Sequence, residues 1–300
     1  MASAELPRPA PGAAARAAWP VSDYDLAATL DSGQAFRWQR VGAGWEGVVA
    51  GRWVRLTAAP ERIEAETAVP QTSWDWLADY LQIRVELAPI QASFPDDAPL
   101  RSAVAACRGL RLLRQEPWEC LASFILSSTK QIVHIRQIVE TLCQRYGEPV
   151  AVPAGQAAAF AFPTAARLAA GTEAELRACR MGFRAPYLLA AAQRLAAGDL
   201  DLAGLAGRPL AEARAELMRL DGVGRKIADC VLLFAVGFQQ AFPVDVWVAK
   251  ALRELYFRGR RVAPRKLLVF SESHFGPHAG YAQQYLFHYR RTQATRTVRP

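Results

Sequence analysis

Near Pro70 the spacing of apolar residues changes from that of strands to that of helices, and few folds tolerate that order. From about Trp19 to Glu66 the pattern is extended. Gly44 to Val49 and Arg52 to Thr57 read as two strands around Ala50-Gly51, with Trp45, Val48, Val49, Trp53, Val54 and Leu56 as packing groups. An antiparallel sheet is the simplest inference. Beyond Pro70, Gln131 to Tyr146 sets Ile132, Ile135, Val139, Leu142, Cys143 and Tyr146 on one helical face, with Gly147 as its C-cap. Comparable segments run through Trp118 to Leu126, Thr172 to Arg180, Pro186 to Ala197, Leu210 to Leu220, Arg225 to Val236, Val246 to Tyr256 and Gly280 to Tyr289. The fold class is therefore α+β, an N-terminal antiparallel β-sheet packed on a mostly α-helical body. The expected division is a disordered tail over 1–19, a sheet domain with connecting helices over 20–110, and a helical domain over 111–300.

A chain of 300 residues buries a sizeable core, and 52% hydrophobic against 21% charged residues excludes a mostly disordered protein. No run of 18 uncharged apolar residues occurs, so no membrane is expected. Glu5, Pro7, Pro9 and Pro11 interrupt the apolar core that a secretory signal would need, and a cytoplasmic protein is the default. Cys107, Cys120, Cys143, Cys179 and Cys230 are 13, 23, 36 and 51 positions apart, which supports neither a zinc site, nor an iron-sulfur cluster, nor a disulfide framework.

The net charge of +8 is unevenly placed. Residues 246–300 hold eleven Lys and Arg against Glu254 and Glu272, a net of +9, and leave −1 on the rest. Such an end suits a polyanion such as nucleic acid, and equally a solvated surface. Only four lysines occur, at 130, 226, 250 and 266.

One of them stands in the most informative stretch. A helix ends near Leu220, the turn is Asp221-Gly222-Val223-Gly224, and a second helix begins at Arg225-Lys226. Two glycines in such a turn let the backbone approach a phosphate, whose charge the N–H groups of Gly222, Gly224 and the new helix can bind without reading base sequence. That is a helix-hairpin-helix. Asp245 follows Lys226 by nineteen residues, in Phe242-Pro243-Val244-Asp245-Val246. It reads as the N-cap of the next helix, or as a cap that also offers a fixed negative charge to a positive sugar.

LDGVGRKIADC followed by PVDVW resembles the helix-hairpin-helix, Gly-Pro-Asp superfamily of DNA glycosylases, and within it the 8-oxoguanine DNA glycosylase/AP lyases. LDSGQAFRW, DYLQI, RLLRQEPWECLASFILSS, GFRAPY and FGPHAGYAQQYLF extend the likeness, in order, over roughly residues 20 to 290. The resemblance implies that Lys226 is the nucleophile that attacks C1′ and forms a Schiff base, followed by β-elimination, and that Asp245 is the essential carboxylate. A primary amine is required because only it gives an imine, and it must lose its proton to attack. Burial, Arg225 and the positive end of its own helix are expected to favour that loss.

By the same resemblance, the carbonyl of Gly33 accepts from the N7–H of 8-oxoguanine, a hydrogen that guanine lacks. Cys230 and Phe287 sandwich the flipped base, and Gln283 reads its Watson–Crick edge. Taken singly these residues read as a turn glycine, core and helix surface. Phe183 and Arg184 match the aromatic wedge and the arginine at the orphaned cytosine. Three positions depart from the eukaryotic pattern: Thr129 stands for an asparagine that enters the stack, His134 for a second arginine, and Trp247 for a phosphate-contacting histidine. Weaker preference for cytosine opposite the lesion is expected.

The implied partner is double-stranded DNA containing oxidised guanine, bound by a monomer, at the nucleoid if the chain is bacterial. No cofactor is demanded by amine chemistry, although hairpin carbonyls offer a place for a monovalent cation in the family manner. Two alternatives share these features, a glycosylase for alkylated bases and a non-catalytic helix-hairpin-helix DNA-binding protein.

Overall fold

A computed structural model describes residues 14–128 and 130–297, with side chains to residue 294. Five antiparallel strands come first: β1 (Ala15–Pro20), β2 (Gln39–Val41), β3 (Gly44–Val49), β4 (Arg52–Ala59) and β5 (Arg62–Thr67), in the order β1-β5-β4-β3-β2. The β3–β4 hairpin turns at Ala50 and Gly51, both at positive φ, which is the two-residue turn whose twist matches its strands. The six packing residues expected of these strands are all buried.

Two expectations need correction. The tail was expected to run to residue 19, but Ala15–Pro20 is the edge strand β1, paired with β5 from Ala15↔Thr67 to Pro20↔Arg62. Its alanines carry no strand preference of their own; the exposed edge of β5 and the packing of Trp19 on Trp74, ring centroids 6.1 Å apart, supply it. Residues 1–13 lie outside the described residues. Nor is the stretch to Glu66 extended throughout, because α1 (Leu26–Asp31) interrupts it, capped by Asp25, whose Oδ1 accepts from the Ala28 N–H at 2.8 Å.

Helices follow in chain order: α2 (Asp75–Leu81), α3 (Leu87–Ala92), α4 (Ala98–Ala106), α5 (Pro117–Leu126) and α6 (Ile132–Tyr146). A two-stranded ribbon, β6 (Pro149–Val150) and β7 (Ala159–Phe160), precedes α7 (Ala165–Ala169), α8 (Glu173–Leu176), α9 (Ala185–Ala196), α10 (Leu210–Leu217) and α11 (Arg225–Val231). The last three are α12 (Val246–Tyr256), α13 (Pro264–His274) and α14 (Ala279–Thr297). Among the described residues no helix is long and apolar enough to cross a membrane.

Two cores hold these layers. One lies under the sheet around Trp38, Leu56, Ile63, Leu77 and Leu81; the other fills the helical body around the almost wholly buried α5. Leu87, Ile90, Leu100 and Ala103 belong to the helical core, where α4 packs on α14, and Leu113 joins the core under the sheet, so the cores do not part at residue 110. Gly147 does end α6, but at φ −80°, without the left-handed cap conformation. Glycine is needed there because a Cβ would stand 2.0 Å from the Ala161 carbonyl oxygen.

The helix expected over Thr172 to Arg180 stops at Leu176. The wide turn Arg177–Met181 contains Cys179 and Arg180 in non-helical conformations, Arg180 at φ +62°. Beyond α11 the chain likewise loosens into a wide turn, Leu232–Val236, closed by Gly237 at φ +100°. All five cysteines are buried free thiols.

Candidate active site

The hairpin between α10 and α11 is built as its sequence implies. Val223, 4% exposed, plugs the turn into the core, and its N–H donates to the Leu220 carbonyl at 3.0 Å. The two glycines serve different ends. Gly222 sits at φ +77° and a Cβ on it would lie 2.5 Å from the Tyr187 ring, so conformation and close approach both require it. Gly224 caps α11 at φ −87°, and nothing stands within 4 Å of where its Cβ would be. Its missing side chain leaves room at the helix N-terminus, where N–H groups face outward. Buried Asp229 braces the motif, accepting from Arg214 of α10 at 2.6 Å and lying 3.5 Å from the Arg225 Nε. Arg225 also pairs with Glu272, so its charge is compensated by two carboxylates rather than directed at Lys226.

Lys226 enters a cleft of about 1060 Å³. Its Nζ donates to the Ser127 Oγ at 3.1 Å and lies 4.9 Å from the centroid of the Phe124 ring. Asp245 lines the same cleft. Its Oδ1 accepts from the Val248 N–H at 2.8 Å, the N-cap bond of α12. Asp245 therefore caps α12 and faces the lysine's cleft at once. Burial pushes its carboxyl above the usual carboxylate range, against the opposite pull of Lys226, Arg291 and two backbone N–H groups. Lys130, Arg253 and Arg291 also line the cleft, and Asp245 is the one carboxylate among the described residues that do.

Gly33 stands beside this cleft on a loop that is hydrogen-bonded from both sides. Gln284 donates to the Ser32 carbonyl at 3.0 Å and Gln115 to the Gln34 carbonyl at 2.6 Å. The Gln34 amide donates to the carbonyls of Thr29 and Arg111, and its Oε1 accepts from the Leu113 N–H at 2.7 Å. Sequence reasoning missed these three glutamines. Gly33 is at φ +79°, and a Cβ there would meet Ile132 at 2.7 Å and Phe287 at 3.4 Å.

Phe287 lines the cleft, and Gln283 lies one turn earlier on α14, 4% exposed, its Oε1 lacking a hydrogen-bond partner among the described residues. Cys230 lies one turn beyond Lys226 on α11. Burial pushes its thiol up to about 12, so it presents a neutral packing surface. The structure thus gathers Lys226, Asp245, Gly33 and Phe287 around one cleft, with Cys230 and Gln283 on the helices that frame it.

The family model for the N-terminal domain of 8-oxoguanine DNA glycosylase matches residues 17–121, and that for the HhH-GPD superfamily of base excision DNA repair proteins matches residues 122–272. The chain belongs to the HhH-GPD superfamily. A "Probable N-glycosylase/DNA lyase" of Methanothermobacter thermautotrophicus is 30% identical over 91% of this chain and 95% of its own. The Clostridium acetobutylicum 8-oxoguanine glycosylase/lyase, solved with double-stranded DNA containing cytosine opposite 8-oxoG, superposes with a TM-score of 0.85 at 31% identity, over 90% of this chain and 93% of that one. A 3-methyladenine DNA glycosylase of Archaeoglobus fulgidus, at 21% identity and TM-score 0.77, shares the fold.

In this HhH-GPD protein the residues expected at the opposite strand are placed differently from those at the cleft. Phe183 is 52% exposed, presented by a turn in which Arg180 and Gly182 both hold positive φ. Arg184 is only 3% exposed. Its guanidinium lies 4.2 Å below the Phe183 ring and donates to the carbonyls of Met181, at 3.2 Å, and Ser128. The arginine expected at the cytosine is therefore turned inward, bonded to carbonyls of its own chain. His134 is exposed on α6 and lines a separate groove of about 740 Å³ with Lys130, Arg180 and Gln137. Trp247, 40% exposed, lies in the first turn of α12 at the mouth of the cleft. Thr129 lies outside the described residues.

Among the residues no reading singled out, Ser127 and Phe124 lie within the quoted block RLLRQEPWECLASFILSS and were within reach of it. Arg291 was visible only as one charge among eleven.

Proposed function

We propose that this protein excises 8-oxoguanine from duplex DNA and then nicks the strand. The observation that carries the reading is the lysine at the N-terminal turn of α11 sharing a cleft with a half-buried carboxylate, beside a glycine whose loop is held by three glutamines. The flipped nucleotide enters the cleft while backbone N–H groups around Gly222 and Gly224 hold a phosphate. The neutral Lys226 Nζ forms a bond to C1′ as the glycosidic bond breaks, and its electron pair leaves with the base, which takes up a proton. Ser127 orients the amine through the 3.1 Å bond. Asp245 stabilises the positive charge that grows on the sugar in this step. Ring opening gives the imine; loss of a C2′ proton then expels the 3′ phosphate, and water releases the enzyme from the nicked product.

Selectivity follows from one hydrogen. The Gly33 carbonyl accepts from N7–H of the oxidised base, whereas guanine sets a lone pair against it, and an unmade bond in a buried site costs roughly 1–3 kcal/mol. Exposed Arg258, Arg260, Arg261, Arg265 and Lys266, on and beside the loop from α12 to α13, add salt-sensitive attraction that reads no sequence. A monovalent cation at the hairpin would share the Leu220 and Gly224 carbonyls, which already accept from Val223 and Ala228; it would brace the turn and take no part in bond breaking. The enzyme acts as a single copy, wherever the genomic duplex is.

Borohydride trapping tests the proposal. Reduction in the presence of an 8-oxoguanine duplex is expected to give a covalent adduct that Lys226→Gln abolishes. No adduct with the unaltered protein, or an adduct that survives in Lys226→Gln, overturns it. A duplex carrying an alkylated purine in place of 8-oxoguanine is expected to give none.

A further inference from the structure

Oxidation changes guanine at two adjacent points. N7 gains a hydrogen, and C8 exchanges a hydrogen for a carbonyl oxygen. A pocket that reads both changes needs an acceptor and a donor side by side, and the Gly33 carbonyl supplies only the acceptor.

A donor stands beside Gly33 itself. Gln283, Phe287 and Arg291 follow one another at intervals of four along α14 and so form a single stripe. Arg291 lines the cleft with Lys226 and Asp245. One of its terminal nitrogens lies 3.3 Å from the point where a Cβ on Gly33 would be, and its guanidinium carbon is 5.4 Å from the Phe287 ring centroid. The same nitrogen is 3.4 Å from the Asp31 carbonyl oxygen, which ties the side chain to the end of α1, just before the Gly33 loop.

The opposite end of the stripe fits too. Gln283 presents a buried Oε1 without a partner among the described residues, the group needed by the N–H donors on the Watson–Crick edge of a guanine. Roughly 12 Å of helix rise separates Gln283 from Arg291. That matches a purine bicycle carrying a hydrogen bond at either edge, with Phe287 midway to meet its face.

From this geometry, and resting on the function proposed above, we propose that Arg291 reads the damage itself, donating from its guanidinium to O8 of the oxidised purine beside the Gly33 acceptor. An arginine carries five N–H donors, so holding Asp31 and reading a base are compatible. A cationic donor in a largely buried site makes a stronger bond than a neutral one, and guanine, with C8–H at that point, leaves it unmade. Arg291 also lowers the proton affinity of Asp245 by its charge, which gives a competing role that an experiment must separate.

Two single-turnover rates make that separation, excision of 8-oxoguanine from a duplex and β-elimination at a preformed abasic site, which has no base to read. In Arg291→Met, excision is expected to fall about 10- to 100-fold, the loss of one charge-assisted hydrogen bond, with abasic-site cleavage changed less than about 3-fold. Arg291→Gln, which keeps an N–H donor, is expected to lie between Met and the unaltered protein, and it serves alone if Arg291→Met does not fold. An equal fall in both rates would assign Arg291 to the sugar-phosphate or to Asp245 and overturn the proposal, as would excision unchanged in both variants. If the unaltered protein cleaves abasic DNA but leaves 8-oxoguanine in place, the proposed function fails first, and Arg291 is not the cause.

Discussion

On the lesion side of the cleft the carbonyls on either side of Gly33 are held by Gln284 and Gln115, Cys230 and Gln283 are buried, and Asp245 is held by its own helix cap. On the far side Phe183 is half exposed on a turn with two positive-φ residues, Arg184 is buried and bonded to carbonyls of its own chain, and His134 faces solvent. The first arrangement costs little to organise when a base arrives, since its groups are already fixed. The second is less fixed, and it includes His134, which departs from the pattern that Phe183 and Arg184 keep. Under the proposed function, damage recognition falls to the packed interior, where few substitutions fit, and reading of the opposite base to a more exposed surface.

The sharpest test acts on Asp245. Removing its charge is expected to lower excision by about 10²- to 10⁴-fold, the range for a positioned carboxylate. Stability should move the other way. Burial raises this carboxyl above its ordinary value, so its contribution to stability is present below that value and is lost as pH rises through the raised one. At neutral pH the native protein holds an unfavourable charge. Asp245→Asn keeps a capping oxygen, so its melting temperature at pH 7 should equal or exceed that of the unaltered protein while activity collapses. A lower melting temperature would mean that the carboxylate is chiefly structural. In the unaltered protein, excision should fail on acidification at a pH above that where an ordinary aspartate titrates.

Gly33→Ala breaks the lesion side without touching the chemistry. The methyl group would meet Ile132 at 2.7 Å in a backbone conformation that alanine resists, so the loop must shift. Excision is expected to fall about 100-fold, with abasic-site cleavage nearly intact, because one misplaced acceptor costs a few kcal/mol.

On the far side Phe183→Ala should lower excision only about 10-fold, the worth of one base-stacking aromatic. With Arg184 turned inward and His134 in place of an arginine, rates on four duplexes differing only in the opposite base should spread less than in relatives with two arginines there. If Phe183→Ala costs more than Gly33→Ala, or cytosine is strongly preferred, the contrast between the two sides is wrong.

Legibility in the sequence follows the same contrast. The β3–β4 turn and α12 were readable to the residue because local signals set them, Ala50-Gly51 in one and Pro243 with Asp245 in the other, while β4 runs two residues past the Thr57 expected as its end. Lys226 stood out because lysine is scarce and the hairpin precedes it. β1 was hidden, since its alanines pair only because a distant strand offers an edge. Gln34, Gln115 and Gln284 were hidden too, as a glutamine that will be buried looks like one that will not. Arg291 needed α14 laid against Gly33 before its charge acquired a position.

The hairpin repeats the comparison in miniature and gives the smallest effect. Gly222 is fixed by its φ of +77° and by Tyr187 at 2.5 Å, so Gly222→Ala should destabilise the protein by more than about 1 kcal/mol and weaken DNA binding as a consequence. Gly224 has an ordinary φ and open space where a Cβ would stand. Alanine there narrows the unfolded ensemble by about 0.4–1 kcal/mol, but it is a poorer N-cap than glycine by a similar amount, so the urea midpoint should move little. The same methyl group would project where a phosphate must approach the α11 N-terminus, so duplex affinity at fixed salt should drop a few-fold in a protein of nearly unchanged stability. If Gly224→Ala loses no affinity, the phosphate is held elsewhere, and the basic loop from α12 to α13 becomes the first place to look.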